Sequence, residues 1–315
     1  MSADVGAVDA DLVAAGLDPD AVRDVVRRAL DEDLGGPDGV DVTSSATIPL
    51  AQVSTAHAVA RADGVLAGIA LFGLVWQDVA RRLRVPDPEV DVLAADGSAL
   101  ARGDVLLRVR GATQVLLVGE RTALNLVCRM SGVATHTRQW AQELEGTGAM
   151  VLDTRKTTPG LRALEKYAVR CGGGTNKRMG LYDVAMVKDN HKVAAGSVQA
   201  AYQAVRSRYP DVEVQVEVTT VDEALEAVGA GARFLLCDNM SVPLLRSTVE
   251  AVRAATPDRV EIEGTGGLTL DRAREYGQTG VDYLSVGALT HSSPILDLAL
   301  DLALDSAEGP GRVGR

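Results

Sequence analysis

The sequence predicts an α/β protein in two parts, an N-terminal α+β sandwich followed by a parallel-stranded α/β body. Three observations carry that expectation. The chain has 315 residues, 46% of them apolar, enough for about two domains with a sizeable core. Its first half mixes amphipathic helical stretches with short apolar runs bounded by Gly and Asp turn signals. After Gly148 the texture changes to short apolar runs, each ending in a polar residue and followed by a helical pattern.

Taken in order, an amphipathic helix is expected over Asp18 to Leu30, with Pro19 suited to its first turn, and a glycine-rich turn over Gly35 to Gly39. Strands are expected at Ser54 to Ala60 and Val105 to Val109, separated by the turns Asp96-Gly97 and Arg102-Gly103-Asp104. A helix over Ile69 to Leu83 covers that sheet. Thr113 to Leu144 is helical, with Ser131-Gly132 as a candidate break, and links the halves. The later runs are Ala149 to Leu152, Val184 to Val187, Val214 to Val218, Phe234 to Cys237, Val260 to Ile262 and Tyr283 to Val286. Such spacing suits successive βα units and a parallel sheet. Six units are too few for a closed eightfold barrel, which leaves an open or incomplete barrel and a doubly wound sheet as competing topologies.

A net charge of −11 argues against nucleic acid or an anionic membrane as partner. Acidic residues in Met1 to Asp11 and the lack of any long uncharged apolar stretch lead to the expectation of a cytoplasmic protein. Cys128, Cys171 and Cys237 stand far apart, as buried structural thiols would, not as a disulfide framework or zinc site. Between Asp153 and Lys192, however, nine Lys or Arg face four acids. A basic island in an acidic protein suits a small polyanionic ligand, although a solvated helix face would show the same charge count.

In parallel α/β folds ligands bind at the carboxyl ends of strands. Here those ends carry Asp153-Thr154-Arg155-Lys156, Lys188-Asp189-Asn190-His191, Glu217, Asp238-Asn239, Glu263-Gly264-Thr265-Gly266-Gly267 and Gly287. Arg155, Lys156, Arg178 and Lys188 suit carboxylates or phosphates. Thr265-Gly266-Gly267, read as opening a helix, and Val286-Gly287-Ala288 with His291 offer backbone N–H groups to a phosphate. Glu217 and Asp238 suit glycosyl chemistry, ribose hydroxyls or a magnesium ion already bound to substrate.

These segments resemble the quinolinate phosphoribosyltransferase family, also called carboxylating nicotinate-nucleotide pyrophosphorylase. The likeness runs through Glu32-Asp33-Leu34-Gly35, Asp41-Val42-Thr43-Ser44, Gly119-Glu120-Arg121-Thr122-Ala123-Leu124-Asn125 and Ser131-Gly132-Val133-Ala134-Thr135. It continues in Asp153 to Gly160, Glu165 to Arg170, Gly172-Gly173-Gly174, Val187 to His191, Glu217-Val218, Asp238-Asn239-Met240, Thr279 to Tyr283 and Val286 to His291. The resemblance implies an α/β sandwich over 1–124, an incomplete α/β barrel over 125–287 that holds the active site, and a tail over 288–315 that returns to the first domain. It implies transfer of phosphoribosyl from phosphoribosyl pyrophosphate to quinolinate with loss of CO2, a step of NAD biosynthesis that yields nicotinate mononucleotide and pyrophosphate. Lys156, Glu217 and Asp238 are then catalytic, and Arg121, Thr154, Arg155, Lys177, Arg178 and Lys188 hold quinolinate. Lys156, Lys188, Glu217, Asp238, Thr265, Gly266, Gly267, Val286, Gly287, Ala288 and His291 hold the donor. Mg2+ is carried mainly by the substrate, with Glu217 and Asp238 as candidate ligands. A homodimer or dimer-based hexamer is implied, with Arg121 entering the neighbouring site.

Three departures stand out. Asn176-Lys177-Arg178 replaces the family's usual Asn-His-Arg, Thr265-Gly266-Gly267 replaces Ser-Gly-Gly, and Val40-Asp41-Val42-Thr43 replaces Gly-Asp-Val-Thr. Lys177 leaves another pyridine or aromatic acid open as acceptor. A silent homologue that only senses a phosphorylated metabolite is the rival class, and intact Lys156, Glu217 and Asp238 count against it.

Overall fold

The computed structural model describes residues 5–303. These fall into two compact units, one running to Thr135 and resuming at Pro294, the other comprising His136–Ser293.

The first unit contains α1 (Val5–Ala14), α2 (Pro19–Leu34), α3 (Val42–Thr47), β1 (Val53–Ala60), β2 (Gly64–Val65), α4 (Ala70–Leu83), β3 (Glu89–Val92), β4 (Ala99–Leu100), β5 (Val105–Ala112) and most of α5 (Thr113–Leu144). Helix α2 starts where its chemistry dictates. The Asp18 carboxylate accepts from the Asp20 N–H, Pro19 occupies a position whose N–H would lack a helical partner, and Gly35 ends the helix at φ 82°. Val22, Val26 and Leu30 then line one stripe, and all three are buried. Helix α4 is capped from a distance, its N-terminal Gly68 and Ile69 N–H groups donating to the Asp96 carboxylate at 2.9 and 3.0 Å. The antiparallel sheet has the order β12-β1-β5-β3, where β12 (Leu298–Ala303) arrives from the far end of the sequence. Residues beyond 303, part of the expected returning tail, lie outside the described residues.

The expected boundaries at 124 and 287 differ from the observed ones. Helical periodicity shows that Thr113 to Leu144 is a helix but not which neighbours its faces meet. Side-chain hydrogen bonds hold its middle to the first unit: Ser131 Oγ accepts from the Ala67 N–H at 3.0 Å, and Thr135 Oγ1 from the Val65 N–H at 2.9 Å. Leu296 N–H donates to the Cys128 carbonyl.

Nor does α5 break at Ser131-Gly132. Gly132 is there for close approach, since a Cβ would lie 2.1 Å from the Pro294 carbonyl oxygen and 2.8 Å from Ile295 Cα. Backbone cannot swing aside as a side-chain tip can. Gly132→Ala is therefore expected to lose about 1–3 kcal/mol of stability through overpacking. Gly73→Ala, on α4 with nothing within 4 Å of its Cβ position, should be neutral or gain up to ~1 kcal/mol. Denaturant midpoints compare the two, and equal midpoints would refute the close-packing argument.

The second unit contains β6 (Met150–Leu152), α6 (Arg162–Cys171), β7 (Val184–Val187), α7 (Asp189–Ala195), α8 (Val198–Arg208), β8 (Glu213–Val218), α9 (Val221–Gly229), β9 (Phe234–Asp238), α10 (Val242–Ala255), β10 (Glu261–Thr265), α11 (Ala273–Gly277), β11 (Tyr283–Ser285) and α12 (Ala288–His291). All six apolar runs are strands. They form one parallel sheet in the order β6-β11-β10-β9-β8-β7. From β7 to β11 the order follows the sequence without reversal, and β6 closes onto the last strand. That succession is the one an incomplete barrel has, and it excludes the doubly wound alternative, whose order must reverse at a switch point. Among the described residues a single bridge, Leu152 to Thr175, lies outside the named strands, and β6 and β7 are the two ends of the sheet, so they border the open side. Among the described residues no helix is long and apolar enough to cross a membrane.

Candidate active site

Strand periodicity decides which side chains meet. On β8 Gln215 and Glu217 share a face, and the register sets Glu217 beside Leu236 of β9 and Leu236 beside Glu263 of β10. Two residues further on, Asp238 pairs with Thr265 and Thr265 with Ser285 of β11. This face, at the carboxyl ends of the strands, opens into a cavity of about 800 Å³ lined by residues of the second unit.

The cationic wall depends on a buried ion pair. β6 is followed directly by Asp153, which is fully buried, as is Lys166 of α6 whose ammonium it meets. Burial pushes the Asp153 carboxyl up and the Lys166 ammonium down, each opposed by its partner. The pair also binds the loop before β7. Asp153 accepts from the Asn176 side chain at 2.6 Å and from the Lys177 N–H at 2.8 Å, while Lys166 Nζ donates to the Lys177 carbonyl at 2.9 Å. Thr154, Arg155 and Lys156 follow Asp153 directly, and Lys177 and Arg178 lie in the loop, so one cluster aims both segments at the cavity.

Arg155 and Arg178 crowd each other there. Burial, and then the Arg155 charge, hold Arg178 below its ordinary value. Arg155 Nε is buried without a hydrogen-bond partner among the described residues. Two partly buried guanidiniums beside one cavity repel each other, and a bound anion would relieve that repulsion. Lys188, after β7, is half exposed and lies 3.4 Å from Glu217 Oε2.

The opposite wall combines carboxylates with bare backbone. Asp238 stands at the end of β9 and accepts from the Asn239 amide at 2.9 Å. Asn239 adopts φ 53° and its N–H donates to the Thr265 carbonyl. That turn leaves no room at Gly266, where a Cβ would lie 2.3 Å from Asn239 Oδ1. Gly266 and Gly267 have φ 88° and 60°. They form a turn, contrary to the expected helix start, and helical structure begins only at Leu270. Gly287 is bounded by His291 Nε2 and Lys156 Cδ, each 3.1 Å from its Cβ position. The Thr290 hydroxyl donates to the Lys156 carbonyl and ties that corner together.

Every residue expected at the site lines this cavity except Arg121, which stands exposed on α5 in the first unit. Lys177 differs from expectation in another way. It borders the cavity, but its ammonium is taken by buried Glu263 instead of pointing to an acceptor. Sequence reasoning passed over Ser285, Met186 and Leu236 as lining, and Gln215 beneath them; alternation backwards from Glu217 would have flagged Gln215. Among the described residues no three His, Cys, Asp or Glu gather as a metal cluster.

Residues 41–131 match the N-terminal domain of quinolinate phosphoribosyl transferase, and residues 133–301 match its C-terminal domain. The chain belongs to the quinolinate phosphoribosyl transferase family. It is 47% identical over 285 residues to the nicotinate-nucleotide pyrophosphorylase (carboxylating) of Mycobacterium leprae, covering 90% of this chain and 98% of that protein. It is 39% identical over 306 residues to quinolinate phosphoribosyltransferase (decarboxylating) 1 of Nicotiana glauca, covering 92% of this chain and 85% of that one. The crystal structure of NadC from Streptococcus pyogenes superposes with a TM-score of 0.84 at 34% identity, over 91% of this chain and 98% of the other. The family's division between residues 131 and 133 falls close to the break between the two units.

Proposed function

We propose that this family member transfers phosphoribosyl from phosphoribosyl pyrophosphate to quinolinate, releasing pyrophosphate and CO2 and forming nicotinate mononucleotide for NAD biosynthesis. The observation that carries the proposal is a single cavity with paired guanidiniums, Arg155 and Arg178, on one wall and Glu217, Asp238 and glycine turns on the other. The cationic wall, with Thr154 and Lys188, suits a dicarboxylate. The turns at Thr265-Gly266-Gly267 and Val286-Gly287-Ala288, with His291, suit the 5′-phosphate.

Lys156 lines the cavity beside Gly287 and would meet both acceptor and pyrophosphate. Glu217 and Asp238 would hold the ribose hydroxyls and stabilise positive charge at the ribosyl carbon as its bond to pyrophosphate breaks. Mg2+ is part of the proposal. Two carboxylates fit an ion bound mainly through substrate phosphates, and it would neutralise charge on the leaving group. The pyridine nitrogen lone pair forms the new bond to the ribosyl carbon. The quaternised ring then accepts the electron pair when the neighbouring carboxylate leaves as CO2, and a proton is taken up at that carbon. Assembly as a homodimer or dimer-based hexamer, with Arg121 reaching a partner's cavity, belongs to the same proposal; its support is that Arg121 is exposed and lines no part of this chain's cavity. A cytoplasmic setting rests on the compositional expectation alone.

A pyrophosphate-release assay with Mg2+ over pyridine mono- and dicarboxylates tests the assignment. Quinolinate is expected to outperform nicotinate by on the order of a hundredfold in kcat/KM, since losing one partner of a buried charge pair costs several kcal/mol. Equal turnover with nicotinate would overturn the assignment.

A further inference from the structure

The loop Asn176-Lys177-Arg178 presents two adjacent cations, yet only one reaches the cavity as a free charge. Lys177 is 11% exposed along its side chain and its ammonium pairs with Glu263. Glu263 is fully buried and is saturated from three directions. Besides Lys177 it accepts from the Gln215 amide of β8 at 2.5 Å and from the Ser285 hydroxyl of β11. The Lys177 backbone is equally committed, its N–H to Asp153 and its carbonyl to Lys166. Its neighbour Arg178 carries no carboxylate within salt-bridge distance among the described residues, and one guanidinium nitrogen donates to the Val184 carbonyl at 2.8 Å.

We infer that Lys177 is a positioning residue, not an acceptor ligand, and that Glu263 sets the charge of the acceptor subsite by withdrawing this one cation from it. The inference rests on the function proposed above. Arg155, Arg178 and Lys188 remain as the cations that meet the acceptor's carboxylates.

The structure supplies the physical reason. An ammonium this deep needs a carboxylate; burial lowers the Lys177 pKa and Glu263 opposes that shift. Conversely, Glu263 without Lys177 would be a buried anion directly under a pocket built for anions. Lys177 therefore works through Glu263, pinning the loop to the sheet from below while Asp153 and Lys166 pin it from the side. Arg178 follows directly on this anchored residue and is held further by its bond to the Val184 carbonyl.

The test uses Lys177→Met and the double variant Lys177→Met/Glu263→Gln in the full-length protein, with kcat and the KM values for quinolinate and phosphoribosyl pyrophosphate measured separately. Lys177→Met should raise the quinolinate KM roughly tenfold or more, because like charges juxtaposed across a binding site cost several kcal/mol. The donor KM should move less than the quinolinate KM, since Lys177 and Arg178 belong to the cationic wall. Removing both charges should return the quinolinate KM to within about threefold of wild type, as expected for partners whose effects are coupled. A double variant as impaired toward quinolinate as Lys177→Met would overturn the inference and make Lys177 a direct ligand. If Lys177→Met alone fails to fold, the double variant decides by the same comparison with wild type. Wild type that releases no pyrophosphate with quinolinate would overturn the functional reading itself, and this inference with it. Wild-type turnover with an unrescued double variant overturns the inference alone.

Discussion

Replacing Lys166 by methionine is expected to cost about 3–5 kcal/mol of stability, the penalty for stranding one half of a buried ion pair. Lys166 and Asp153 are both fully buried, and the pair holds Asn176 and both backbone groups of Lys177. Methionine fills similar volume, so the loss isolates charge from packing. Against a typical total of 5–15 kcal/mol, it would approach the limit of folding. The loss should also depend on pH, with a definite sign. Burial already pushes the Asp153 carboxyl above its usual value, and Lys166 is the strongest influence pulling it back. In the variant that pull is gone, so the folded-state value rises further above the unfolded one. Below the unfolded value Asp153 is protonated in both states and the charge penalty vanishes; it grows as pH rises through the folded value. Urea midpoints at pH 5 and pH 8 should therefore show the larger deficit at pH 8. A deficit under about 0.5 kcal/mol, or one independent of pH, would mean that the pair does not anchor this corner as described.

Arg155→Ala should have the largest effect on acceptor use, lowering kcat/KM for quinolinate by on the order of a hundredfold or more through loss of a desolvated charge partner. Stability should move the other way or stay level. Arg155 Nε is buried without a partner among the described residues, and its charge depresses Arg178. Removing it relieves a repulsion that Asp183 and Glu263 offset only in part, as at sites where function is kept at the expense of stability. Arg155→Lys should recover little, because an ammonium cannot reproduce the two-pronged geometry of guanidinium on carboxylate. Parallel kinetics and thermal melts check this. A variant that is destabilised yet turns over quinolinate normally would assign Arg155 a structural role.

Some of this was legible before any coordinates. The six apolar runs after Gly148 are the six strands because strands of a parallel sheet covered by helices read as short apolar runs, and this shows in one dimension. The Asp18-Pro19 start of α2 and its Gly35 end are equally local, set by capping chemistry within a few residues. Polar groups at strand ends marked the site, since a parallel sheet brings those ends together whatever the intervening helices are. The cavity accordingly gathers every expected residue of the second unit.

Partner choice was not legible, because it is a property of residues distant in sequence. Nothing near Lys177 reveals that its ammonium meets Glu263, 86 positions away on another strand, or that Gln215 and Ser285 complete that carboxylate's shell. Nothing near Gly132 reveals the Pro294 carbonyl that packs against it, or that Pro294 and the residues after it group with the first unit. Periodicity, capping and residue chemistry act over a few neighbours, so the strands, the helices, the strand ends and the charge they carry are readable in one dimension. Which cations stay free for a ligand and which are neutralised within the fold depends on three-dimensional packing, because the effective charge of a buried group is set by the partners brought within a few ångströms of it.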